Sequence, residues 1–100
     1  MNVTIDRQGN TFEVVIEGRL DTTNAAQFQN DIAPLMEGDN PQITIDCTNM
    51  EYTSSQGLRV FLMLQKSVSM RGGSLVMKSM RPAVKEVFDI TGFSNIIKII

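Results

Sequence analysis

The strongest constraint on the fold of this chain is a hydrophobic period that passes from two to about 3.6 and back three times within 100 residues. Val3 and Ile5 alternate with Thr4 and Asp6, Gly9-Asn10 supplies turn chemistry, and Phe12, Val14 and Ile16 alternate with Glu13, Val15 and Glu17. This pattern predicts a β-hairpin. Ala25, Phe28, Ile32, Leu35 and Met36 then recur at helical spacing behind the N-cap candidates Asp21-Thr22-Thr23-Asn24. Pro34 kinks or ends that helix near its last turn, because it lacks a backbone donor and crowds the preceding turn. Gly38 to Pro41 reads as a loop. Ile43, Ile45 and Cys47 alternate in a short strand, and Thr48 to Gly57 is a polar, small-residue connection into the apolar run Val60 to Leu64. Periodicity alone does not assign that run, but Leu58, Arg59, Gln65 and Lys66 bring it to helical length and Gly72-Gly73 closes it. Leu75 to Met77 predicts a strand, and Pro82, Val84, Val87 and Phe88 a third helix with Gly92 past its end. Ile96, Ile97, Ile99 and Ile100 form a β-branched tail read as a last strand. Alternation of strands and helices after a hairpin predicts one α/β domain over residues 1–100. Its sheet is mixed and mostly parallel, with an antiparallel hairpin at the start and about three helices.

Composition removes several classes of function. The chain has no histidine, so a Ser-His-Asp triad, a Cys-His pair and a histidine metal site are absent. Neither GxGxxG nor GxxxxGK[ST] occurs, and the aspartates are scattered. No enzyme, cofactor or metal is expected. Nine basic residues against eleven acidic ones, with no basic cluster, argue against nucleic acid as a partner. No segment approaches the roughly 20 apolar residues that span a bilayer, and Met1 to Arg7 lacks the pattern of a secretory leader. The expectation is a cytoplasmic protein without direct membrane insertion. Cys47, the lone cysteine, reads as an inert core thiol.

The chemically informative stretch is Tyr52 to Val60, where hydroxyl groups precede a buried helix. Thr53, Ser54 and Ser55 are N-cap candidates, since a side-chain oxygen there accepts an otherwise orphaned backbone N–H. The same geometry accommodates an added phosphate, because a helix start offers free donors and the positive end of the helix dipole. The two readings are compatible. A loop beyond the carboxyl end of a parallel strand is also where open α/β sheets place ligands.

Tyr52-Thr53-Ser54-Ser55-Gln56-Gly57-Leu58-Arg59-Val60 resembles the phosphorylation-site motif of STAS domains, in particular bacterial anti-sigma factor antagonists, in which Asp/Ser-Ser-small-Gly-Leu follows an apolar or aromatic residue. Gly18-Arg19-Leu20-Asp21 is similar to the family's lead into its first helix, and Ile43 to Asp46 to its central strand. Arg81-Pro82-Ala83-Val84, Phe88 and Thr91-Gly92-Phe93 are similar to its third-helix region. These pieces span nearly the whole chain in the family's order. Ser54 stands where aspartate is common, and Gln56 where a smaller residue is common. The chain stops at Ile100, where the family continues into a further helix.

The resemblance implies a STAS domain that binds a cognate anti-sigma factor when unphosphorylated, so that the sigma factor is released. Ser55 falls on the phosphorylated position. The partner is implied to be a serine kinase as well, with ATP as its own cofactor, and a phosphatase resets the switch. Asp21, Thr22 and Thr23, together with Thr53, Ser54, Ser55, Gln56, Gly57 and Arg59, form the expected partner footprint, because loops after neighbouring parallel strands open on one edge. The alternative is a STAS subunit of a membrane transport machine, making a permanent protein contact.

Overall fold

A computed structural model describes residues 1–100. Five strands form one sheet in the order β1-β2-β3-β4-β5: β1 Asn2–Gln8, β2 Thr11–Leu20, β3 Gln42–Thr53, β4 Ser74–Lys78 and β5 Lys98–Ile99. β1 and β2 are antiparallel, and every later pairing is parallel. Three α-helices connect them: α1 Ala25–Asp31, α2 Ser55–Met70 and α3 Pro82–Ile90. The mixed sheet with its leading hairpin is the architecture read from the period changes.

The core lies on one face of the sheet. Phe12, Val14 and Ile16 of β2 and Ile43, Ile45 and Cys47 of β3 point inward and are fully buried. Against them, Phe61 of α2 meets Phe28 of α1 at 5.2 Å and Phe88 of α3 at 5.9 Å between ring centroids, so all three helices share this face. The other face keeps polar residues such as Glu13, Glu17 and Thr44. An antiparallel edge and a two-layer packing allow that exposure.

Three expected boundaries move, each for a physical reason. The first helix does not run to Met36: α1 closes at Asp31, and Ala33–Met36 is a 3-10 turn with Pro34 near its start. The β-branched tail is not one strand: Phe93–Asn95 is a 3-10 turn, Ile97 is buried as a core residue, and only Lys98–Ile99 pairs with β4. The polar connection Thr48 to Thr53 is not a loop but the second half of β3. There the register with β2 shifts twice, between Val15 and Glu17 and between Gly18 and Arg19, each shift adding one residue to β3. These bulges turn the inward spacing from two residues to three, so Cys47, Met50 and Thr53 are the buried positions.

Candidate functional site

Parallel pairing brings the carboxyl ends of β2 and β3 side by side, with Leu20 opposite Thr53. The Ser54 backbone N–H donates to the Leu20 carbonyl at 2.7 Å and ties the start of α2 to the end of β2. The turn Asp21 to Asn24, which leaves β2, therefore lies beside the first turn of α2, which leaves β3. Gly57 permits this closeness. A Cβ there would stand 2.6 Å from both Leu20 Cδ2 and Thr53 Oγ1, inside van der Waals contact.

Among the three hydroxyls, the roles separate sharply. Ser54 is the N-cap of α2, its extended backbone (φ −88°, ψ 174°) turning into the helix while its side-chain oxygen accepts from the Gly57 N–H at 3.2 Å. Thr53 is buried at the end of β3, its hydroxyl near the Ser54 carbonyl at 3.3 Å. Ser55, the first helical residue, is exposed, and its hydroxyl donates to Gln56 Oε1 at 3.1 Å. Thr53, Ser54 and Gly57 are thus buried supports of the helix start, and Ser55, Gln56 and Arg59 present its outer surface. The first turn of α2 carries no acidic residue.

The neighbouring turn is held by its own side chains and does not cap α1 as the sequence suggests. Asp21 Oδ1 accepts from the Thr23 hydroxyl at 2.6 Å and the Thr23 N–H at 2.9 Å, while Asn24 Oδ1 accepts from the Asp21 N–H and Asn24 Nδ2 donates to the Arg19 carbonyl. Asn24 occupies the α1 N-cap position without a side-chain cap bond. The Thr23 hydroxyl, followed by its N–H, holds the Asp21 carboxyl below the ordinary carboxylate value. Thr22 and Thr23 are exposed.

Between α1 and α2 runs an open groove of about 360 Å³, to which Thr22, Gln29, Gln56, Arg59 and Met63 contribute. It joins Thr22 from the first loop to Gln56 and Arg59 from the helix start. Sequence reasoning did not anticipate its α1 wall. It also missed Arg19, whose guanidinium lies 4.4 Å from the centre of the exposed Tyr52 ring. Those two residues are cross-strand partners only because of the bulges in β3. No three acidic or thiol side chains gather into a metal cluster, and no helix is long and apolar enough to cross a membrane.

Comparison with known proteins agrees with this architecture. A family model described as "Mlab, STAS domain" matches residues 3–99. A protein of Bordetella bronchiseptica named as an anti-sigma factor antagonist, BtrV, is 31% identical over 96 residues, covering 96% of this chain and 83% of that protein. The anti-sigma-B factor antagonist of Bacillus subtilis is 32% identical over 99 residues, covering 99% of this chain and 90% of that protein. Among solved structures, an anti-sigma factor antagonist fold from Thermotoga maritima superposes with a TM-score of 0.85 at 24% identity, over 97% of this chain and 84% of that one.

Proposed function

This chain belongs to the STAS domain family, and from that membership we propose that it is an anti-sigma factor antagonist whose partner binding is switched by phosphorylation at Ser55. It is a binding protein and not an enzyme, in keeping with relatives named for antagonism. Its partner on this reading is a cytoplasmic anti-sigma factor that also acts as a serine kinase, opposed by a phosphatase. A phosphoryl group passes from ATP to Ser55 Oγ: the new P–O bond forms there, the bond to ADP breaks, and the hydroxyl proton is released.

One observation carries the proposal: Ser55 is exposed at the first position of α2, whereas Ser54 beside it is buried and committed to the cap. The hydroxyl open to a kinase is therefore separate from the one that holds the helix. Phosphate adds about 1.5–2 negative charges at pH 7 to a surface whose helix turn has none, and repulsion and desolvation then disfavour the partner. Asp21, Thr22 and Thr23 join the footprint because their turn borders the same edge of the sheet.

Affinity for the cognate anti-sigma factor, measured before and after stoichiometric phosphorylation with the modified residue mapped, tests the proposal. Binding should weaken on modification. Ser55→Ala should bind and resist inactivation, and Ser55→Asp, carrying one charge in a different shape, should show a partial loss. Unchanged affinity in protein shown to carry phosphate on Ser55 overturns the mechanism and leaves the permanent contact of a transport subunit as the better reading. Modification at Ser54 alone would overturn the assignment of the site.

A further inference from the structure

Arg59 stands one helical turn beyond Ser55, at the i+4 spacing where side chains on a helix surface meet, with Cβ atoms about 5–6 Å apart. Its guanidinium has five donors and makes no ion pair or hydrogen bond within the protein, where the one ion pair joins Lys85 and Asp89. It is the charged residue among those lining the groove between α1 and α2, beside Gln56 and Thr22. Arg19, the next cation at this edge, is already stacked on Tyr52. We infer that Arg59 is the positioning residue for the modified state, drawing the phosphate of phosphorylated Ser55 along α2 into that groove as an intrahelical ion pair. The inference rests on Ser55 being the modified residue.

Three exposed groups at the helix start, Ser55, Gln56 and Arg59, change partners on modification, while the buried Ser54 cap on Gly57 is left as it is. Phosphorylation removes the hydroxyl proton that Ser55 now donates to Gln56 Oε1, so the Gln56 amide is released to turn a donor toward the new anion. A phosphate oxygen and a guanidinium one turn away match in geometry, and the fork favours arginine over lysine. The modification thereby acts twice: it adds negative charge, and it takes Arg59 away from any acidic group on a partner that the unmodified face would meet.

The test uses the full chain with phosphoserine installed at position 55 by site-specific incorporation, without reference to any kinase or partner, and titrates its ³¹P resonance. The second ionisation of an unpaired phosphoserine lies at about 6. In the otherwise native chain it should lie lower than in Arg59→Gln by about 0.2–0.7 of a pH unit at low salt, the scale of an exposed ion pair. High salt should shrink the difference. Arg59→Lys should restore part of it. Asp21 and Arg19, the charged groups on the neighbouring turn and strand, are common to all three proteins, and thermal melts check that each is folded. Equal titration in the native and Arg59→Gln backgrounds overturns the inference. A preserved shift in a protein whose partner affinity ignores the phosphate would instead remove the antagonist switch and leave the ion pair standing.

Discussion

At the start of α2, two adjacent serines differ in what they hold. The Ser54 oxygen takes the Gly57 N–H, one of the four donors that the first turn of a helix leaves without an internal partner, and it does so while buried. Ser55 holds nothing beyond its neighbour Gln56. Ser54→Ala should therefore cost about 0.5–2 kcal/mol, the usual loss for an N-cap, while Ser55→Ala stays within about 0.5 kcal/mol, as surface substitutions do. Urea unfolding of the two variants decides it, and a larger loss at Ser55 would reverse the cap assignment. The sequence offers Thr53, Ser54 and Ser55 as equivalent caps because each is a hydroxyl before an apolar run. What separates them is where β3 ends, and that end is concealed by bulges whose spacing of three looks like no strand at all.

Between elements, Arg71 is the clearest tie, and nothing in its local sequence announces it. It sits just past α2 as the C-cap residue, and its guanidinium reaches back to the 3-10 turn after α1, with Nη2 donating to the Leu35 carbonyl at 2.8 Å and Nη1 to the Glu37 and Gly38 carbonyls at 2.8 and 3.1 Å. Those carbonyls lie at the end of a helical turn, where acceptors lack internal donors, so a planar cation serves several at once. Arg71→Ala should destabilise the fold by about 1.5–3 kcal/mol, the range for hydrogen bonds to a charged group. Arg71→Lys should recover only part, since one ammonium cannot span three carbonyls. Urea unfolding gives the loss, and faster amide exchange across residues 33–40 locates it. The elements themselves were legible where one physical rule dominates: the hairpin from alternation around Gly9-Asn10, α2 from its girth and the Gly72-Gly73 close, and α3 from Pro82 at its first position. Legibility failed where tertiary packing overrides local pattern. Ile96 to Ile100 have strand propensity at almost every position, yet a 3-10 turn precedes them and Ile97 is drawn into the core, leaving two residues to pair.

As a whole, the molecule has a radius of gyration of 12.3 Å, that of one compact body for its length, so its unfolding is expected to be a single transition with a definable free energy. That makes one central group a reporter for the entire fold. Cys47 sits fully buried on β3, the middle strand, at the first bulge, and burial, with Asp46 beside it, pushes the thiol from its ordinary 9.0 up to about 12. In the unfolded chain the thiol ionises above pH 9, whereas in the folded protein it stays protonated until about 12, so the stability it contributes is complete below pH 9 and is lost as pH rises between those values. Cys47→Ala should be less stable at pH 7 because it leaves a cavity, but the alanine lacks the ionisation. The gap between the two proteins should then narrow by on the order of 1 kcal/mol for each pH unit above 9, with Tyr52 and the lysines common to both. Urea unfolding of the pair at pH 7, 9.5 and 10.5 measures that gap. A gap that stays constant across the series would mean that the thiol ionises as readily in the folded sheet as in the open chain, and the closed centre of β3 would have to be redrawn.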